Sequence, residues 1–322
     1  MLAIVYDRYG PPEVLRAEEM ENPTPADNEV LIRVRAASVN PMDWHLMRGR
    51  PAFIRLFTGL RKPRNRRVGV DAAGEVAAVG AGVTRFKPGD AVFGACRGAF
   101  AQFACARQTA LARKPRNVTF ELAAAAPIAA LTALQGLRDK GELKVGQRVL
   151  INGAAGGVGT FAVQIARWMG AEVTGVCSAK NAAMVQSIGA ELVVDYARED
   201  FTQLPRTYDV IFDLMANHSL RALRRVMRPH GVYIGAGGGG DVRLSEILLG
   251  MVRMKMLSVF TSRKMVGLLA KAKAADLELI GNLLETGQVR PVIDRCYPLR
   301  EAEAAIRCSE AGNVRGKLVI VM

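Results

Sequence analysis

The sequence predicts an α/β protein in which a parallel β-sheet follows a β-rich N-terminal part. From Leu122 onwards, short apolar strand patterns alternate with helical patterns, which is typical of βαβ units. In residues 1–115 the apolar segments are instead separated by Pro, Gly and Asp turns. A length of 322 residues fits about two domains. We therefore expect a β-rich domain combined with a doubly wound parallel-sheet domain.

The β-rich part contains five predicted strands, and a KPGD turn at Lys87–Asp90 precedes the fourth. These strands are Leu2–Tyr6, Val30–Val39, Gly74–Val79, Ala91–Gly94 and Phe100–Ala104. The alternating part then predicts strands at Val149–Asn152, Val173–Cys177, Leu192–Asp195, Val210–Asp213 and Val232–Gly235. Its predicted helices are Gly157–Met169 and Ala182–Ile188. Residues 274–322 contain two amphipathic helical patterns and a terminal strand, Lys317–Val321.

The composition is strongly basic, with 44 Lys and Arg residues against 30 Asp and Glu residues. This balance is compatible with an ordinary basic surface or with attraction for an anionic cofactor, substrate or membrane. Nucleic acid is disfavoured because few aromatic residues accompany the charge. The five cysteines form no CxxC pair, which indicates reduced thiols. The N-terminus has no signal-peptide pattern, and the longest apolar run, Leu122–Leu134, is too short to span a bilayer. We expect a cytoplasmic location.

A glycine-rich turn, GAAGGVG at Gly153–Gly159, connects the predicted strand at Val149 to the following helix. Such a turn brings backbone N–H groups and a helix N-terminus against a pyrophosphate. Ala154 stands at the first glycine position of the G-x-G-x-x-G pattern, so the match is imperfect. Its place between a strand and a helix still favours a dinucleotide site over an ordinary tight turn.

The end of the next strand indicates which dinucleotide is bound. Sites for NAD usually have an Asp or Glu there, whereas this chain has no acidic residue between Glu172 and Glu191. Ser178 and Lys180 instead offer a hydroxyl group and a positive charge, which suit a 2′-phosphate. The sequence therefore favours NADPH over NADH, although Lys180 taken alone could be a solvated surface charge.

Seven segments along the whole chain resemble the zinc-independent quinone oxidoreductase branch of the medium-chain dehydrogenase/reductase superfamily, to which ζ-crystallin-like proteins belong. They are SVNPMD (Ser38–Asp43), GVDAAGEV (Gly69–Val76), FKPGDAVFG (Phe86–Gly94), AAAPIAALTALQGL (Ala124–Leu137), NGAAGGVGTFAVQIA (Asn152–Ala166), VVDY (Val193–Tyr196) and VRGKLVIV (Val314–Val321). The resemblance implies a GroES-like β-barrel catalytic domain, residues 1–123 and 264–322, with a Rossmann NADPH-binding domain inserted at 124–263. It also implies a cleft between the domains and a homodimer.

The resemblance implies that no zinc takes part. The zinc-dependent relatives have Cys where Asn40 stands and His-Glu where Val70 and Asp71 stand, and their four-cysteine structural lobe is missing here. A metal site needs several suitable ligands that converge. The three histidines of this chain are widely spaced.

The resemblance also assigns candidate cofactor-binding residues. They are Asn40, Thr132, Gly156, Gly157, Val158, Ser178, Lys180, Tyr196, Asn217, Gly235, Ala236 and Gly237, with Phe260 and Lys317 as weaker candidates. Single positions allow structural roles too: Asn40 could cap a turn, Thr132 could bond to a helical carbonyl, and Tyr196 could be a core aromatic. Asn40 and His45 are the catalytic candidates. His45 takes the place of a tyrosine in some relatives, and it could donate to a reduced oxygen or be structural.

A basic segment lies between Asp43 and Asp71, where eight Lys or Arg residues occur without an acid. Five of them fall within Arg61–Arg67, directly after the apolar stretch Ala52–Leu60. The segment could be a solvated loop, a weak contact with an anionic membrane surface, or a means of steering anions.

Three functions remain compatible with these residues. The leading one is NADPH-dependent reduction of a small lipophilic quinone or α,β-unsaturated carbonyl by hydride transfer. The others are reduction of simple ketones or aldehydes, and a low-turnover NADPH-binding sensor or structural protein. The last would be favoured by a broken nicotinamide site, but Asn40, Thr132 and Gly235–Gly237 are present.

Overall fold

The computed structural model describes residues 1–237 and 262–322. These residues form two compact units, Met1–Leu131 with Ala272–Met322 and Thr132–Lys271. The domain boundaries expected from the sequence, at 123/124 and 263/264, fall earlier in the chain than both boundaries of the units. The first unit is called the discontinuous unit below, and the second is called the continuous unit.

The discontinuous unit begins with seven strands and ends with two more. In its N-terminal part the strands are β1 (Leu2–Val5), β2 (Arg16–Glu19), β3 (Glu29–Val39), β4 (Asp71–Val79), β5 (Ala91–Ala95), β6 (Phe103–Arg107) and β7 (Leu111–Arg113). The helices there are α1 (Pro41–Arg48), α2 (Arg55–Thr58), α3 (Phe120–Ala125) and α4 (Pro127–Gln135), the last of which crosses the boundary between the units.

The continuous unit alternates strands and helices as the sequence predicts. Its strands are β8 (Arg148–Asn152), β9 (Glu172–Cys177), β10 (Leu192–Asp195), β11 (Tyr208–Asp213), β12 (Met227–Gly235) and β13 (Lys264–Gly267). Its helices are α5 (Gly157–Trp168), α6 (Ala179–Ser187) and α7 (Leu220–Val226). The chain then returns to the discontinuous unit with α8 (Ala274–Glu285), β14 (Ile293–Pro298), α9 (Ala302–Glu310) and β15 (Lys317–Val321).

The sheet of the continuous unit is parallel, and its spatial order is β10-β9-β8-β11-β12-β13. Counted within this unit, that order is 3-2-1-4-5-6, the doubly wound arrangement of a Rossmann fold. The chain reverses direction across the sheet between β8 and β11, so the carboxyl ends of these strands form the switch point at which such sheets bind ligands. The predicted Rossmann fold is confirmed.

The large sheet of the discontinuous unit has the order β14-β15-β3-β4-β5-β7, and β6 pairs with the N-terminal half of β3, which β15 does not reach. All its pairs are antiparallel except β14 with β15. Its inner face packs apolar side chains such as Ile32, Val92 and Ile320 into one core. This arrangement agrees with the predicted GroES-like fold.

The predicted strand Phe100–Ala104 was placed too early, because the strand that pairs with β3 begins at Phe103. The residues before it bond individually to β1: the carbonyl of Phe100 accepts from the Ile4 amide, and the Gln102 amide donates to the Leu2 carbonyl. Their partners on β1 are also shielded from solvent, since Ile4 is buried and Leu2 is half-buried. The apolar character of residues 100–104 therefore did not show where the strand paired with β3 begins. Over the described ranges, no helix is both long and apolar enough to cross a membrane.

Candidate active site

Asn40 lies where strand β3 ends and helix α1 begins, and its side chain is buried. Strand β3 is flanked by β15 and β4, and the register places Ser38 opposite both Val319 and Asp71. The neighbouring strands thereby bring Lys317 and Asp71 next to Asn40, although these three residues are far apart in the sequence.

Every polar atom of the Asn40 amide has a partner in this cluster. Its Oδ1 accepts from the Lys317 ammonium at 2.6 Å, and its Nδ2 donates to Asp71 Oδ2 at 3.0 Å and to the Ser38 carbonyl at 3.2 Å. Lys317 also donates to the Val39 carbonyl at 2.9 Å. The amide orientation is therefore fixed, and both of its N–H groups are already used. We call Ser38, Asn40, Asp43, Asp71 and Lys317 the Asn40 cluster.

The Asn40 cluster contains three ionisable groups away from water, and burial changes their proton affinities. Burial raises the pKa of Asp71 to about 6, while Lys317 and the donors from Asn40, Ile128 and Ser38 act in the opposite direction. Burial also lowers the pKa of Lys317, and the two carboxyl groups counteract it.

Asp43 is the most perturbed carboxyl group of the cluster. Burial, reinforced by the negative charge of Asp71, raises its pKa to about 8 despite its hydrogen bonds to backbone N–H groups. Its Oδ2 accepts from the backbone N–H of Asn40 at 2.7 Å and caps helix α1, whereas its Oδ1 is buried with no hydrogen-bond partner among the described residues. The sequence reasoning missed Asp43 and Asp71 as site residues. The N-x-x-D spacing of a helix cap could have pointed to Asp43.

His45 lies on helix α1 and is half-buried. Its Nδ1 is 3.0 Å from the Arg50 carbonyl, and its ring lies against Trp44 with the centroids 3.7 Å apart. Because a carbonyl can only accept, Nδ1 carries a proton in this hydrogen bond. The bond anchors the ring to the chain, as the structural alternative expects. Its catalytic role stays a prediction.

No group of three or more His, Cys, Asp or Glu side chains in residues 1–237 and 262–322 could hold a metal ion. At the positions of the zinc ligands in the zinc-dependent relatives, Asn40 is hydrogen-bonded on all sides and Asp71 accepts bonds from Asn40, Ser38 and Ile128. The donor set is thus an amide with one carboxylate, which does not resemble the sulfur and nitrogen ligands that zinc prefers.

The glycine-rich turn places the N-terminus of helix α5 at the carboxyl end of β8. A Cβ at Gly159 would lie 2.1 Å from the Gly153 carbonyl oxygen, so this glycine allows helix and turn to pack closely. A Cβ at Gly156 would meet only that same oxygen, at 3.5 Å. The amides of Gly157 and Val158 open the helix and have no acceptor four residues earlier. These features fit a pyrophosphate, which would accept from those amides.

A polar network spans the switch point between β8 and β11. Asn152 Nδ2 donates to Asp213 Oδ1 and to Asn217 Oδ1, both at 2.9 Å. Asp213 is fully buried and also accepts from the Tyr233 hydroxyl at 3.1 Å and from the amides of Met215 and Ala216. These contacts fix the loop that carries Asn217. The sequence reasoning named Asn217 but missed Asn152 and Asp213, which stand at the ends of predicted strands.

The predicted residues Asn217 and Gly235–Gly237 lie at this same sheet edge. The Oδ1 of Asn217 faces Asn152 and the Nδ1 of His218, which leaves the amide nitrogen of Asn217 as the outward donor. Gly237 has no room for a side chain, because a Cβ would lie 2.0 Å from the Leu214 carbonyl oxygen. The Ala236 amide donates to the Asp213 carbonyl.

Ser178 and Lys180 lie where strand β9 leads into helix α6, and Tyr196 follows strand β10. Ser178 is the N-cap residue, and its hydroxyl oxygen accepts from Asn181 at 3.2 Å, so its hydrogen can be donated elsewhere. Lys180 is exposed in the first turn of the helix and pairs with no carboxylate of the described residues. Tyr196 is 64% exposed, so it is not the core aromatic of the alternative.

The remaining candidates are placed less informatively. Thr132 is half-buried on helix α4, and its contact with a cofactor stays a prediction. Lys317 donates hydrogen bonds to Asn40 Oδ1 and to the backbone carbonyl of Val39 at the end of β3. Its contact with a cofactor also stays a prediction. Phe260 lies outside the described residues.

Comparison with known proteins identifies two protein families along the chain. Residues 26–116 match the family described as "Alcohol dehydrogenase GroES-like domain", and residues 188–320 match the family described as "Zinc-binding dehydrogenase". The chloroplast envelope quinone oxidoreductase homolog of Arabidopsis thaliana is 33% identical, over 99% of this chain and 98% of the relative. The chain belongs to the quinone oxidoreductase branch of the medium-chain dehydrogenase/reductase superfamily. As a member of this branch, it is an oxidoreductase.

Two further members of the superfamily are similar over nearly the whole chain. The NADPH-dependent alkenal/one oxidoreductase of Arabidopsis thaliana chloroplasts is 30% identical, over 99% of this chain and 79% of the relative. The crystal structure of Escherichia coli quinone oxidoreductase complexed with NADPH covers all of both chains, with a TM-score of 0.85 and 25% identity. One of the two matching families is named for zinc binding. In this chain, however, the Asn40 cluster lacks the sulfur and imidazole ligands that zinc prefers.

Proposed function

We propose that the protein reduces quinones or α,β-unsaturated carbonyl compounds with NADPH. The observation that carries this proposal is the switch point of the parallel sheet, where the amides of Gly157 and Val158 lack intrahelical partners beside the Asn152–Asp213 network. Backbone donors at a helix N-terminus suit a pyrophosphate. NADPH, when bound, supplies the hydride.

The preference for NADPH is supported by the surroundings of the N-terminus of α6. Ser178 has a hydroxyl hydrogen to donate, and Lys180 has an exposed ammonium group. The helix N-terminus adds a partial positive charge. The end of β9 itself has no carboxylate to bind ribose hydroxyls and repel a 2′-phosphate. The neighbouring Asp195, opposite Cys177 on β10, accepts from the Ala197 amide and pairs with Arg198. These groups would hold the 2′-phosphate of NADPH and give NADH nothing equivalent.

The substrate class is supported by two relatives, one named as a quinone oxidoreductase homolog and the other as an alkenal/one oxidoreductase. Both substrate types are conjugated carbonyl systems that accept a hydride and then a proton. In our proposal Asn40 positions the reacting groups as part of a rigid cluster, because its amide is held by Lys317 and Asp71. Direct donation by Asn40 would require release of one of its present acceptors.

The test is a panel of quinones, enones, aldehydes and ketones, with oxidation of NADPH followed by absorbance and the products identified. We expect turnover with quinones or enones, and in an enone product the carbon–carbon double bond is reduced while the carbonyl remains. Alcohol products from simple ketones or aldehydes would favour the carbonyl reductase alternative. Tight NADPH binding without turnover would favour the sensor or structural alternative.

Three attributes accompany this proposal. We propose that the protein is a homodimer, that it acts in the cytoplasm, and that it needs no zinc. The first two are measured by sedimentation velocity and by cell fractionation. The third is supported by the donor set of the Asn40 cluster.

A further inference from the structure

The segment around helix α2 exposes large apolar side chains to solvent. Leu56, Phe57 and Leu60 are 59%, 76% and 68% exposed and lie within five consecutive residues. A single exposed apolar residue is normal on a protein surface, whereas a cluster of them usually marks an interaction site.

The same segment turns its polar groups towards the protein. The Tyr9 hydroxyl donates to the Gly59 carbonyl at 2.6 Å and lies 2.8 Å from the Thr58 hydroxyl. Arg55 donates to the Gly49 carbonyl, and its guanidinium lies 4.7 Å from the centre of the Tyr9 ring. These contacts fix the segment by its polar side, so the outward direction of Phe57 and its neighbours follows from the packing.

Three cations directly follow the apolar cluster. Arg61, Lys62 and Arg64 are exposed, and none forms an ion pair with a carboxylate of the described residues. By contrast, Arg66 is bound by Asp7 and Glu18. Since no acidic residue occurs between Asp43 and Asp71, nothing in the segment itself offsets the three charges.

We propose that Leu56, Phe57, Leu60, Arg61, Lys62 and Arg64, here called the Phe57 patch, bind the surface of a bilayer that contains anionic phospholipids. The apolar side chains would enter the boundary between headgroups and acyl chains, and the cations would lie at the phosphates. Charge complementarity selects this occupant, because an anionic leaflet attracts basic residues and each contributes about fivefold to partitioning. The net charge of +14 acts in the same direction.

This inference does not depend on the proposed function, since vesicle binding requires neither cofactor nor turnover. It would add to that function a means of bringing the protein to the phase in which lipophilic quinones dissolve. A failure of vesicle binding would therefore leave the proposed reductase activity untouched.

The test is sedimentation of the full chain with vesicles of phosphatidylcholine alone and with vesicles that also contain phosphatidylglycerol. We expect the wild type to bind the anionic vesicles at least about tenfold better, as follows from three cations near the surface. The variants Leu56→Ser/Phe57→Ser/Leu60→Ser and Arg61→Glu/Lys62→Glu/Arg64→Glu should each lose about tenfold or more. Thermal melts should match the wild type, because the replaced side chains are exposed.

Two matched controls separate the patch from general surface properties. Val145→Ser removes an apolar side chain that is 82% exposed elsewhere, and Arg107→Glu/Arg116→Glu/Lys140→Glu reverses three other exposed charges. Both should keep most of the wild-type binding and lose much less than the patch variants, because the replaced groups lie outside the patch. Equal binding of the wild type to both vesicle types, or an equal loss in the controls, would overturn the proposal. So would a serine variant that only converts a dimer into a monomer, since the patch would then cover a second copy.

Discussion

At the scale of single residues, the Asn40 cluster is a buried site in which hydrogen bonds connect the side chains. The zinc-dependent relatives have metal ligands at the corresponding positions. The ammonium of the cluster comes from β15, one carboxyl group comes from β4, and the amide and the other carboxyl group come from the N-terminus of helix α1, which follows β3. The cluster therefore joins these elements and is also the candidate catalytic centre. Removing one member of a buried polar network leaves the others without partners. Changes here should affect stability and activity together.

Asn40→Ala should lower the free energy of unfolding by about 1–3 kcal/mol, because Lys317 loses an acceptor and Asp71 loses a donor in a buried site. The value of kcat/KM should fall as well. Ser38→Ala serves as the comparison, since it removes only the 3.4 Å bond from the Ser38 hydroxyl to Asp71 and keeps the Asn40 amide in place. Urea unfolding and steady-state kinetics measure both effects. An Asn40→Ala variant as stable and active as the wild type would contradict the described network.

Asp43 predicts a pH dependence of stability. Its pKa is raised from 3.8 to about 8, so between these values the folded protein keeps a proton that the unfolded chain has released. The stability contributed by this group is therefore present at low pH and is lost as the pH rises towards 8. Asp43→Asn keeps an oxygen that can accept from the backbone N–H of Asn40, but it cannot ionise.

We expect the melting temperature of Asp43→Asn, relative to the wild type, to increase from about pH 6 to about pH 8. Differential scanning fluorimetry at both pH values measures this difference. A difference that stays constant would show that Asp43 does not change its charge in this range.

At the scale of elements, different glycines of the glycine-rich turn serve the packing of the protein and the proposed binding of the cofactor. Gly159 is needed for packing, because its Cβ would lie 2.1 Å from a backbone oxygen, whereas a Cβ at Gly156 meets ordinary contact only. A methyl group added at Gly156 therefore meets no obstacle within the protein itself. In our proposal that methyl group would occupy space that the pyrophosphate needs.

Gly156→Ala should leave the melting temperature within about 2 °C of the wild type, since the added Cβ makes no close contact. Its dissociation constant for NADPH should rise by about tenfold or more, which corresponds to the loss of one charge-assisted hydrogen bond. Gly281→Ala in helix α8 is the matched control, because its Cβ would lie 3.6 Å from the ring of Phe93, an ordinary contact distance. It should bind NADPH like the wild type. Unchanged NADPH affinity in Gly156→Ala would place the cofactor elsewhere.

The elements differ in how well the sequence predicted them. The strands Leu192–Asp195 and Lys317–Val321 are found with the predicted bounds, because Glu191 and Asp195 delimit the first and Gly316 and Lys317 mark the start of the second. Helix α6 begins at Ala179 instead of Ala182, since the Ser178 cap lies before the apolar pattern. The turn, the strand ends and Asn40 were within reach of local patterns. The Asn40 cluster was not, because the pairing of β3 with β15 joins residues 277 positions apart.

At the scale of the whole molecule, the protein combines a Rossmann unit with a GroES-like unit and has a high positive charge. The positive charge is not equally compensated along the chain: Arg66 and Arg48 pair with carboxylates, whereas Arg61, Lys62 and Arg64 pair with none of the described residues.

The purified protein should contain no stoichiometric zinc, and a chelator should not change its activity, because the Asn40 cluster lacks sulfur and imidazole ligands. Elemental analysis before and after dialysis against EDTA tests this. Activity that is lost with EDTA and regained with zinc would contradict it.

We propose that NADPH binds with its pyrophosphate at Gly153–Gly159 and its 2′-phosphate at Ser178–Lys180, and that the protein uses the hydride of this bound NADPH. The most direct measurement compares kcat/KM for NADPH and NADH with one quinone acceptor, in the wild type and in Lys180→Glu, with Lys144→Glu as an exposed-lysine control. We expect the wild type and Lys144→Glu to prefer NADPH by about tenfold or more, and Lys180→Glu to lose most of this preference by weaker use of NADPH. An equal or greater kcat/KM for NADH in the wild type, or a preference unchanged by Lys180→Glu, would contradict the account.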